Sequence, residues 1–186
     1  RDRSPSRGLG DVYKRQAVDR WEQGVVPSLY QSDTSWADVP YGQATLASTG
    51  AAPVSLAMAY VAATGDTTYT PVEFAQWATD HDLTAAGVDT IGAFLQQAGS
   101  AFGLAVEPMA VDDRTLRHAI VSNVPVLVVT QPGTFAPAAS VVVLDDIDKD
   151  SRIVLHDPTS ASRSAKGWAF GDITGAAALA FTVHEA

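Results

Sequence analysis

Ala51-Ala52-Pro53-Val54-Ser55-Leu56-Ala57-Met58-Ala59-Tyr60-Val61 reads as a helix. Pro53 stands where a first helical turn tolerates it, and Gly65 supplies a stop. Downstream, Thr70-Pro71-Val72-Glu73 spells a capping box, in which hydroxyl and carboxylate each satisfy a free backbone N–H. Phe74, Trp77 and Ala78 follow at helical spacing. A third helix is expected from about Thr90 to Phe102, with Ile91, Phe94, Leu95 and Ala98 on one face and Gly103 ending it.

Beyond Gly103 the period changes. Leu104–Met109 reads as a strand and Asp112–Val121 as a short helix. Val126–Thr130, Val141–Leu144, Arg152–Leu155 and Ala180–Val183 are β-branched runs bounded by Pro, Gly or Asp, as buried strands are. The polar stretch Asp145–Ser151 connects two of them as a hairpin. A helical half followed by an antiparallel sheet defines an α+β fold.

Composition bounds the function. The chain has 186 residues, 46% hydrophobic and 18% charged, enough for one core. No stretch reaches the ~18 apolar residues of a membrane span. The formal net charge of −9 argues against nucleic acid, whose recognition rests on clustered Lys and Arg. With no cysteine there is neither disulfide, thiolate metal site nor cysteine nucleophile. Residues 1–16 stand apart, holding five of the 12 basic residues and two of the 21 acids, so residues 17–186 carry a net −12. That segment reads as a disordered tail or a sequencing artefact, and residues 17–186 as a single domain.

Four passages carry a resemblance. They are Ser28–Trp36 with Gln31; Tyr41-Gly42 with Ser48–Met58; Ala138–Leu144; and Val154-Leu155-His156-Asp157-Pro158. Together, over about residues 25–186, the chain resembles the papain-like cysteine peptidases, in particular the bacterial double-glycine (bacteriocin-processing) peptidase-like domains. The resemblance implies a papain-like fold whose nucleophile helix packs on a C-terminal antiparallel sheet. It implies an opening strand with an oxyanion glutamine at Gln31, a nucleophile at position 51, a histidine at 140 and an orienting residue at Asp157. A bacterial, extracellular or cell-surface setting is also implied.

The departures decide the expected chemistry. Ala51 fills the nucleophile position, with Ala52 as its neighbour in place of the usual glycine, and Ser140 fills the histidine position. A methyl group has no lone pair, and a serine hydroxyl is no base near neutral pH. The reading is a pseudopeptidase that binds a peptide or protein in the degenerate cleft, without cofactor or metal. Two rivals are a cysteine-type hydrolase inactivated by substitution and a purely structural module of an exported protein. Gln31 and Asp157 persist either as binding groups or as structural hydrogen-bonders.

Other constellations read as ordinary structure. His156 adjoins Asp157, but strand neighbours point to opposite faces. A triad of His156 with Ser140 or Ser55 would need a bulge. His118 falls on a short helix and His184 at a frayed terminus. Asp146, Asp148, Asp150 and Asp157 imitate a calcium loop, yet Ser151 stands where glycine is required, so a solvated turn is expected. Trp36, Trp77 and Trp168 are read as packing rather than as a groove.

Overall fold

A computed structural model of the chain describes residues 18–186; the tail assigned to residues 1–16 lies outside them. After a 3₁₀ turn at Val18–Arg20, a small hairpin pairs β1 (Pro40–Tyr41) with β2 (Ala44–Thr45). Four helices follow: α1 (Leu46–Thr49), α2 (Ala51–Thr64), α3 (Pro71–Asp80) and α4 (Val88–Ala101). Then come β3 (Leu104–Pro108), α5 (Asp113–Val121), β4 (Val126–Thr130), β5 (Ser140–Ile147) and β6 (Ile153–His156). Helix α6 (Ala161–Ser164), β7 (Gly167–Trp168), α7 (Phe170–Ala176) and β8 (Ala177–Glu185) complete the chain. The α+β expectation holds, and the sheet is antiparallel throughout, in the order β3-β8-β4-β5-β6-β7.

Alternation along the strands builds two cores. Leu127, Val129, Val141, Val143, Phe181 and Val183 join the apolar residues of α2, α3 and α4, while Val126, Val128, Val142, Leu144, Ile153 and Leu155 join those of α5 and α7. Both faces are covered, which is why the strands read as continuous apolar runs instead of alternating with polar residues. Helix α2 is buried from Ala51 through Ala62, as a helix that is apolar all round must be. It ends at Gly65, whose left-handed φ of 72° suits glycine. At its start Gly50 passes so close to Leu46 that a Cβ would lie 2.5 Å from the Leu46 carbonyl oxygen.

The capping box forms as read: Thr70 Oγ1 accepts the Val72 N–H at 3.3 Å, and Glu73 accepts the Thr70 N–H at 2.8 Å. Helix α4 starts at Val88, two residues before its expected start, with Gly87 as N-cap. Three expectations need correction. Ser28–Trp36 is not a strand: the Tyr30 carbonyl accepts the Asp33 N–H at 3.2 Å and the Trp36 indole N–H at 2.8 Å, turning the chain. His184 is not frayed, because β8 runs to Glu185 and pairs His184 with Ala105. Strand β5 extends into the presumed connection and ends at Ile147.

Candidate functional site

Ala51 opens α2 and Ser140 opens β5, and both line one cavity of about 290 Å³ together with Gln31. Ser55, one turn into α2, donates its hydroxyl to the Val141 carbonyl at 3.0 Å and fixes helix start against strand start. Gln31 arrives from the turn segment. Its backbone N–H donates to the Pro158 carbonyl at 3.0 Å and its side-chain amide N–H to the Ala47 carbonyl at 2.8 Å. The Gln31 Oε1 atom is buried and has no hydrogen-bond partner among the described residues.

Part of the remaining wall comes from Thr84–Ala86 and Ala136-Pro137, two loop stretches absent from the sequence expectation, beside Tyr41, Thr159 and the expected Ala138-Ala139. No lining side chain is charged, and seven of the sixteen lining residues are alanine. Tyr41 is 4% exposed, and its burial pushes the phenol up to about 12, so it stays neutral at physiological pH. A shallower depression of about 430 Å³ shares Gln31, Ser48 and Thr159 with the cavity and leads to Arg163. The whole trough accepts and donates hydrogen bonds but holds no base and no activated nucleophile beside Ala51.

Asp157 follows β6, yet its carboxylate is spent elsewhere. One oxygen accepts from Arg163 Nε at 2.7 Å; the other accepts from the Thr159 N–H at 2.8 Å and the Thr159 hydroxyl at 2.7 Å. Its side chain has no solvent exposure, against 30% for Arg163. Asp157 does not line the cavity; Thr159, which it holds, does. The position expected to orient a base is a scaffold here, because a buried carboxylate must be paired. Of the four positions, Gln31, Ala51 and Ser140 meet at the cavity and Asp157 supports its rim.

Among the histidines, His81 stacks on Trp77 with ring centroids 3.8 Å apart, and its Nδ1 lies 2.8 Å from the Trp77 carbonyl. His118 lies on α5 and His184 on β8. Trp36 and Trp168 are buried in the two cores, and Trp77 packs against the first. The aspartate run forms a hairpin turn: Asp148 Oδ1 accepts the N–H groups of Asp150 at 2.8 Å and Arg152 at 3.0 Å. No group of three or more His, Asp or Glu among the described residues is placed to hold a metal. No helix among them is long and apolar enough to cross a membrane. No protein-family model, curated protein or solved structure matches the chain.

Proposed function

We propose that the chain is a papain-like domain of the double-glycine-peptidase type, catalytically inactive at the cleft beside Ala51, which instead binds a peptide or protein segment there. The observation that carries this reading is the meeting of Gln31, Ala51 and Ser140 at one small cavity. The start of a 14-residue helix offers backbone N–H groups and a positive dipole end to a ligand carbonyl. The uncharged, alanine-rich wall favours a neutral segment with small side chains, and the volume sits at the low end of ligand sites, roughly 300 Å³. Gln31 Oε1 is an acceptor in search of a donor, which a peptide N–H supplies at little cost. The bacterial, extracellular setting implied by the resemblance belongs to the same proposal.

The test is titration of ¹⁵N-labelled protein with an uncharged tetra-alanine peptide, acetylated and amidated at its ends. Saturable shifts are expected at Ala51, Ala52, Ala139 and Ser140, the peptide staying intact. They should vanish in Ala85→Trp, which places an indole at the exposed mouth. Shifts absent from these residues would favour the structural-module reading, and cleavage of the peptide would end the claim of inactivity.

A further inference from the structure

At the far end of β5 from the cleft, three residues unused by the proposed binding site form a hydrogen-bonded chain. The Ser28 hydroxyl lies 3.3 Å from His156 Nδ1, and His156 Nε2 lies 3.0 Å from Asp145 Oδ2. A β-bulge between Leu144 and Asp146 sits at Asp145, and His156 is the partner of Val143 across the same strand pair. Ser28 reaches the ring from 128 positions upstream. The His156 side chain is 15% exposed and that of Asp145 26%, and Ser28 is half-buried, so all three residues keep some surface.

We propose that Ser28, His156 and Asp145 form a nucleophilic relay that acylates Ser28 from small, uncharged carboxylic esters with a good leaving group. The carboxylate accepts the Nε2 proton and so selects the imidazole tautomer whose Nδ1 carries a lone pair. That lone pair accepts the Ser28 O–H. The roles match those of a serine–histidine–aspartate triad with the two ring nitrogens exchanged. As Ser28 Oγ bonds to the ester carbonyl carbon, its proton passes to Nδ1. The carbon–oxygen bond to the leaving group then breaks, and Nδ1 returns the proton to the departing oxygen. Water repeats the sequence in reverse on the acyl-serine and releases the carboxylic acid. Nucleophile activation alone suits aryl esters rather than amides, whose leaving groups demand more help. The negative charge of Asp145 and of the chain as a whole disfavours anionic esters. Ser28 and His156 are the catalytic residues, and Asp145 is a positioning residue acting through the ring.

The experiment exposes the full chain to a fluorophosphonate and, separately, to p-nitrophenyl acetate, and maps adducts by mass spectrometry. A single adduct at Ser28 is expected, absent in Ser28→Ala, with His156→Gln slowing labelling roughly a hundredfold or more. Asp145→Asn should slow it as well, and Asp145→Glu should restore part of the rate. Nitrogen NMR reads the ring directly even if a variant labels poorly: His156 carries its proton on Nε2 in the unaltered chain and loses that preference in Asp145→Asn. No adduct, an adduct spread over other serines, or a proton resident on Nδ1 overturns the proposal.

Discussion

The two ends of β5 treat polar chemistry in opposite ways. At the Ser140 end a hydroxyl and the Ala51 methyl face a small neutral cavity, and the carboxylate expected there, Asp157, is locked to Arg163 and Thr159 beneath the rim. At the Asp145 end a hydroxyl, an imidazole and a carboxylate join one another at 3.3 and 3.0 Å. Contiguous stretches of sequence mark the first site, whereas a bulge and a distant turn assemble the second. A local sequence pattern therefore locates a cleft without supplying it a base or a nucleophile, and proximity creates chemical possibility where no pattern points.

The sharpest way to break this contrast is to remove each carboxylate. Asp157→Ala leaves Arg163 without its ion-pair partner and frees two donors of Thr159. Losing one member of a buried pair costs ~3–5 kcal/mol, and the 30% exposure of Arg163 brings the expected loss to about 3 kcal/mol. Asp145→Ala removes a more exposed pair and should cost under about 1 kcal/mol. Urea unfolding measures both. Equal losses would mean that Asp145 is as structural as Asp157, and the two ends of β5 would no longer differ in kind.

Next in size is the behaviour of the cleft in alkali. Buried Tyr41 ionises at about 12 in the folded chain against an ordinary 10.0. Below pH 10 both states keep the phenol neutral and its contribution is complete. Between pH 10 and about 12 the unfolded chain loses the proton first, so stability falls as pH rises. Two pKa units correspond to about 2.7 kcal/mol as an upper bound. Thermal unfolding from pH 9 to 12 should show Tyr41→Phe losing less stability than the unaltered chain. An identical slope for both would mean that the phenol ionises at the same pH in the folded as in the unfolded chain, and that the cavity wall is less dry than its alanines imply.

Legibility follows the range of the forces involved. The start of α2, the capping box and the buried strands are local patterns, readable because caps and β-branched runs act within a few residues. Ala51 and Ser140 are readable because the words around them are contiguous. Arg163 is not, since nothing in Ser160-Ala161-Ser162-Arg163 announces a partner six positions back. The Asp145 bulge breaks strand register at a point where composition is unremarkable, and Ser28 meets His156 only after the sheet has formed. The turn at Gln31 overrides an apparent strand because its bonds go to single carbonyls of Pro158 and Ala47 rather than to a ladder.

The smallest effect separates the two ends most finely. Ser55 is wholly buried and ties α2 to β5 through the Val141 carbonyl. Ser55→Ala removes one neutral hydrogen bond, worth about 1 kcal/mol. It stands one turn from Ala51 and adjoins Ser140 across the bond, so loosening it should weaken tetra-alanine binding. Asp145 lies beyond Val143 on β5 and His156 pairs with Val143 from β6, and labelling of Ser28 should keep its rate. Sites without shared partners add independently, so a slowed Ser28 in Ser55→Ala would reveal that β5 couples cleft and relay into one unit. That coupling would make the contrast between its ends a matter of degree.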